Sequence, residues 1–257
     1  MNGPDTKLHN SAVTAMVFVA LLLAWEVGVR ISGVAPILLP APSAVARELA
    51  NAPGFFLRES AYTVVSTLAG FALALLIGVV LAIAIVGSRW LERLIWTVLV
   101  VLNSLPKVAL APLFVIWMGL GVAPKVAVAV LLALFSIVVD TVLGLRTVDP
   151  DVTALVRISR AGWLREMLLI RLPGALPALF AGMKVAISFA LVGAIVGEFV
   201  GGSSGLGTVI LIAQGQFDTT RVFAALVLLG IIGATLFHLV EIAERLLIPW
   251  HLSQRSR

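Results

Sequence analysis

Cysteine is absent from the 257 residues and tyrosine occurs once. Without cysteine there is no disulfide framework, thiolate nucleophile or Cys-ligated metal site. Charge is scarce too, at 12% against about 25% in soluble domains. The three histidines, His9, His238 and His251, are scattered with no metal-ligand spacing. No G-x-x-x-x-G-K-[ST], H-E-x-x-H or G-x-S-x-G occurs, so the chain has no Walker loop, zinc-protease helix or nucleophile elbow. These absences predict a chain that is not an enzyme and holds no cofactor of its own.

Apolar residues make up 61% of the chain, above the roughly 45–50% of soluble proteins. A membrane span takes about 20 apolar residues, and six segments qualify: about 11–32, 59–89, 94–118, 124–145, 178–200 and 222–240. The composition therefore predicts an all-α polytopic membrane protein, not a nucleic-acid binder, despite the net charge of +5. The first apolar stretch reads as an uncleaved span, because only Lys7 leads it and no small-x-small cleavage site follows. Lys and Arg then set the orientation. With six spans, eleven lie on one side, including Arg89, Arg93, Arg146, Arg157, Arg160, Arg165 and Arg171, and five lie on the other. Both termini and the 146–177 loop are thereby placed in the cytoplasm. The expected divisions are 1–33, cytoplasmic N-terminus and first span; 34–58, a periplasmic segment; 59–248, a five-helix core; and 249–257, a cytoplasmic tail.

Two spans carry small residues at four-residue spacing: Gly70, Ala74, Gly78 and Ala82 in one, Gly182, Ala186, Ala190 and Ala194 in the other. Such stripes let helix backbones approach closely in lipid. Glu198 continues the second stripe, which turns it toward protein or a wet cavity.

Ionisable residues within spans are functional suspects, and four stand out: Lys107, Asp140, Lys184 and Glu198. Asp140 reads as an interhelical polar contact, and Lys184 either snorkels to headgroups or serves the pathway. Lys107 follows Asn103, Ser104 and Pro106, with Pro112 beyond. Proline frees a carbonyl, and a broken helix survives in a membrane only against protein or water. Segment 103–112 is therefore a pathway candidate or a simple kink. Glu198 is a gate candidate or one half of an ion pair, with Lys107 or Lys184 as its expected partner. The polar, Arg-rich stretch from Asp149 to Pro177 reads as two short amphipathic helices bounded by prolines, longer than a connection needs.

That stretch resembles the E-A-A-x-x-x-G-x(9)-I-x-L-P loop in permease subunits of binding-protein-dependent ABC importers. Aligned on Leu172-Pro173, Ile170 falls on the isoleucine, Ala154 on the glutamate, Leu155 and Val156 on the alanines, and Arg160 on the glycine, with Gly162 two residues later. Asn103-Ser104-Leu105-Pro106 through Ala111-Pro112-Leu113, Ile116-Trp117 and Gly119-Leu120-Gly121 is similar to a stretch of nitrate, sulfonate, taurine and bicarbonate permeases. So are Leu39-Pro40-Ala41-Pro42-Ser43, Ser204-Gly205-Leu206-Gly207 and Pro249-Trp250-His251.

The resemblance implies a type I (MetI-like) core with a cytoplasmic coupling-helix loop. It also implies a second permease subunit (a homodimer), two cytoplasmic ATPase subunits holding ATP and Mg, and an extracytoplasmic substrate-binding protein. Asp151 to Gly162 then forms the coupling helix and Leu164 to Pro173 its return. The contact positions are Asp151, Ala154, Leu155, Arg157, Ile158, Arg160, Ala161, Gly162, Leu172 and Pro173. The pathway positions are Asn103, Ser104, Pro106, Lys107, Lys184 and Glu198. The implied cargo is a small anionic solute such as a sulfonate, taurine, nitrate or a carboxylate, imported by alternating access. An ion-coupled secondary transporter, which needs an inverted repeat, and an intramembrane enzyme are the competing readings.

Overall fold

The computed structural model describes residues 4–148 and 162–249. Every regular element among them is helical. Helix α1 (Pro4–Ser32) is followed by a short amphipathic α2 (Pro42–Asn51) and the long α3 (Pro53–Gly87). The last two start on a proline, which gives up no helical hydrogen bond in the first turn. After Ser88 come α4 (Arg89–Ser104), a 3₁₀ turn (Lys107–Leu110), α5 (Ala111–Met118) and α6 (Val122–Arg146). Beyond the loop lie α7 (Trp163–Glu166), a π-turn (Met167–Arg171), α8 (Leu172–Gly201), α9 (Leu206–Gly215) and α10 (Thr219–Leu247).

Among the described residues, α3, α6, the run Trp163–Gly201 and α10 are long and apolar enough to cross a membrane. The 29 residues of α1 rise about 44 Å at 1.5 Å each, longer than the roughly 30 Å hydrocarbon core, and coincide with the first expected span. The expected span 94–118 is not one helix. Between α4 and Lys107–Met118 the axis turns by 91°. Pro106 explains the break: Leu105, forced out of the α region by the following ring, is extended at φ −77°, ψ 144°.

The packing centres on α6, which lies between α3 and α8. Ala74 and Ala82 of α3, and Ala186, Ala190 and Ala194 of α8, are fully buried. A Cβ on Gly78 would meet Ile137 Cγ2 at 2.6 Å, and one on Gly193 would meet Ala129 Cα at 2.6 Å. Both small-residue stripes are thus faces on which α6 is clamped.

Three boundaries need correction. Pro173 and Pro177 do not stop a helix: α8 starts at Leu172 and runs through Pro177. Just upstream Leu172 N–H bonds Met167 C=O across a π-turn, so the chain is already helical where Pro173 enters the first turn of α8. Helix α3 begins at Pro53, six residues before the apolar run expected from 59, and a helix the sequence reading missed, α9, follows the glycine-serine turn. The coupling positions Asp151, Ala154, Leu155, Arg157, Ile158, Arg160 and Ala161 lie outside the described residues.

The clamp can be tested with one substitution at two places. Replacing a helical glycine by alanine gains up to about 1 kcal/mol of propensity, whereas overpacking costs about 1–3 kcal/mol. Gly230→Ala on α10, with open space around the added Cβ, should hold or raise the thermal midpoint in detergent. Gly193→Ala should lower it. Equal midpoints would contradict the close approach of α8 to α6.

Candidate functional site

The ends of α3, α6 and α8 farthest from the 146–177 loop meet around the start of α9. There the first N–H groups of α9 have no partner within the helix, and side chains from two other helices accept them. Gly205 N–H donates to Glu59 Oε2 at 2.7 Å, Leu206 N–H to Thr63 Oγ1 at 2.9 Å, and Gly207 N–H to Glu198 Oε2 at 2.7 Å. The Thr63 hydroxyl donates to Glu198 Oε1 at 2.9 Å. On the far side, Lys125 Nζ donates to Ser204 C=O at 2.7 Å, and Arg58 pairs with Glu59 at 3.1 Å. Glu198 is 0% exposed and Lys125 is 1% exposed. Gly205 sits at φ +105°, and a Cβ there would overlap the Glu198 carboxylate. Only glycine fits.

This arrangement corrects the expected ion pairs. Glu198 pairs with neither Lys107 nor Lys184. Its carboxylate is satisfied by Thr63 and a helix N-terminus, while Lys184 forms a salt bridge with Glu244 of α10. Sequence reasoning missed Glu59, Thr63 and Lys125. The available signal was topological: Glu59 and Lys125 sit at the mouths of apolar runs whose antiparallel order puts them level with Glu198.

The second polar locus is the break after α4. Lys107 Nζ donates to Asn103 Oδ1 at 2.6 Å and lies 5.8 Å from the Phe135 ring centre. Both side chains line an open-sided cavity of about 480 Å³, together with Leu105, Val108, Leu132, Phe135, Ser136 and Phe189. Ser104 is not in that lining; its hydroxyl bonds back to Val100 C=O at 2.8 Å. Pro106 makes the break, and neither Lys184 nor Glu198 reaches the cavity. Asp140 lies one turn beyond Ser136 and packs against Gly182, but its hydrogen bond, from Ser136 Oγ at 3.5 Å, stays within α6; the interhelical polar contact expected of it is made by Ser136 to Gly182 C=O at 3.4 Å.

The third locus is the loop end. The Trp163 indole covers Gly87, so that a Cβ on Gly87 would lie 2.8 Å from Cζ2. Arg171 pairs with Glu166 at 2.6 Å and donates to Leu145 C=O at 3.4 Å, and Arg146 pairs with Glu92 at 2.7 Å. Of the expected coupling positions, Gly162 caps α7, while Leu172 and Pro173 open α8. Among the described residues no group of three or more His, Asp or Glu could hold a metal ion.

Residues 74–251, from the middle of α3 through the loop to the end of α10, match the family of binding-protein-dependent transport system inner membrane components. The chain belongs to that family. It is 38% identical over 235 residues to the riboflavin transport system permease RibX of Chloroflexus aurantiacus, covering 91% of this chain and 88% of that one. It is 33% identical to the formylaminopyrimidine transport permease ThiX of Halalkalibacterium halodurans, covering 96% and 99%. The putative aliphatic sulfonates transport permease SsuC of Bacillus subtilis is 30% identical, over 72% of this chain and 67% of that one. The MetNI methionine ABC transporter, solved in inward-facing conformations, shares the fold at a TM-score of 0.62 and 20% identity, covering 75% of this chain and 94% of that chain. The protein is thus a multi-pass ABC transporter permease of the MetI-like fold.

The α9 anchor in this permease carries its own prediction. Removing an acceptor strands buried donors at about 1–3 kcal/mol each. Glu198→Ala should therefore lower stability by that order, read as a lower thermal midpoint, while Glu198→Gln, which keeps an acceptor for Gly207 N–H, should lose less. A neutral Glu198→Ala variant would show that the carboxylate does not hold α9.

Proposed function

We propose that two copies of this chain form the membrane channel of an ABC importer. A small organic solute enters the cytoplasm by alternating access, and the energy comes from ATP hydrolysed, with Mg, in two separate cytoplasmic ATPase subunits. An extracytoplasmic binding protein delivers the solute. Both termini and the 146–177 loop face the cytoplasm of a bacterial inner membrane, residues 34–58 face the other side, and 59–248 form the core. Relatives named for riboflavin, formylaminopyrimidine and aliphatic sulfonates support a solute that is ring-bearing or anionic.

The reading rests on the continuity of the helical run Trp163–Gly201. A push on the loop enters at Trp163, passes the Arg171 clamp, and travels along α8 past Phe189 in the cavity wall to Glu198 at the opposite end. A partner gripping the loop thereby acts on the cavity and on the α9 anchor through one rigid element. Lys107 and Asn103 line the route; Lys184, paired with Glu244, and Glu198, bonded to Thr63 and the start of α9, serve it as fixed points on α8.

Gly162 offers a clean test. Its φ −65°, ψ 155° suit any residue, and an added Cβ meets nothing within 4 Å. Aspartate is moreover a favoured residue before a helix. Gly162→Asp should leave the thermal midpoint unchanged while adding an unpaired carboxylate to the docking surface. Retention of the co-expressed ATPase in pull-downs should fall by about tenfold or more, about 1.4 kcal/mol per decade. Unchanged retention would remove the loop from the docking surface. Solute uptake by vesicles carrying the permease alone would favour the ion-coupled alternative.

A further inference from the structure

The cavity at the break has a chemistry of its own. Among the described residues its polar groups are one ammonium, one amide and one hydroxyl, with no carboxylate in the lining. Asn103 Oδ1 already accepts from Lys107, which leaves the amide NH₂ to donate. Lys107 keeps two further N–H donors and has no acceptor. Ser136 Oγ makes only long contacts among the described residues, 3.4 Å to Gly182 C=O and 3.5 Å to Asp140 Oδ2. The polar edge therefore offers donors. The remaining wall is apolar and includes two phenyl rings, Phe135 and Phe189.

Size decides further. At about 480 Å³ the space equals about sixteen waters at about 30 Å³ each, and it lies in the range of pockets for organic ligands, about 300–1,000 Å³. A nitrate or taurine would leave most of it to water and touch neither ring wall closely.

We infer that this cavity recognises a flat, conjugated, acceptor-rich ring compound, neutral or singly anionic. Its ring lies against Phe135 and Phe189, and its carbonyl, ring-nitrogen or carboxylate edge points to Lys107 and Asn103. The inference rests on the permease reading and narrows its solute: the small inorganic or aliphatic anions expected from sequence are poor fits. Selection by the permease then adds to selection by the binding protein.

The experiment measures equilibrium binding of radiolabelled riboflavin and orotate to the permease–ATPase complex in lipid nanodiscs, with taurine and nitrate as competitors. Empty nanodiscs give the background, and ATPase retention is recorded on every sample. Both ring probes should bind saturably and resist competition. Lys107→Met and Phe135→Leu should each weaken them about tenfold, with Lys107→Arg restoring the affinity and the ATPase retained throughout. The inference is overturned if neither ring probe saturates, if taurine or nitrate competes as well as a ring compound, or if both variants bind like the parent. In those cases an intact complex leaves the importer reading standing. That reading falls instead if the unaltered chain retains no ATPase.

Discussion

Where Gly193 faces Ala129 there is no room for one additional methyl group. In lipid the hydrophobic effect does not draw helices together, so association rests on van der Waals contact and on the few polar bonds that helices share. The glycine and alanine stripes of α3 and α8 meet that requirement from both sides of α6. Backbone contact of this kind fixes height as well as distance, because a helix with no side chain to rearrange cannot slide without collision. The level of Glu59 and Thr63 on α3, Lys125 on α6 and Glu198 on α8 follows from it. Without that register, three N–H donors at the start of α9 would find no acceptors.

The charges divide into two kinds. At the α9 end, two carboxylates face a helix N-terminus, the natural site for an anion, and Lys125 and Arg58 balance them. A buried charge is tolerated only when its hydrogen bonds are complete, and here they are. This cluster is therefore structural glue, and its members are spent. Lys107 differs: among the described residues it is paired only with a neutral amide, and it stands at the wall of an open-sided cavity. A cation with spare donors beside apolar rings is available to a ligand in a way that Glu198 is not.

Much of this was legible in the sequence because its causes are local. Spacing of four betrayed the stripes, and proline betrayed the break at 106. What escaped depends on distant contacts. The partner of Glu198 is Thr63, 135 residues away, and no periodicity relates the two. The continuity of α8 through Pro177 was hidden because proline usually ends a helix, whereas here the helix runs on through it. Helix α9 was masked by the glycines before it: Gly205 reads as a turn until the carboxylate it must clear is in place.

The same packing limits how the molecule can move. A three-helix block with glycine-to-backbone contacts is nearly incompressible, so α3, α6 and α8 travel together or not at all. The compliant element is the 91° break, where Pro106 removes a backbone donor and the cavity lies between the Asn103–Val108 segment and the α6–α8 wall, while α5 beyond it packs on that wall through Ala111 and Val115. Unpaired carbonyls there need protein, water or solute for cover. A tilt of the block against that segment would therefore change the shape of the cavity while every bond of the α9 anchor survives. The loop end suits such a tilt, since Trp163 against Gly87 and Arg171 against the Leu145 carbonyl tie the run into α8 to α3 and α6 together. A force applied at the loop meets the block as one body, and the yielding occurs at the break, beside the cavity.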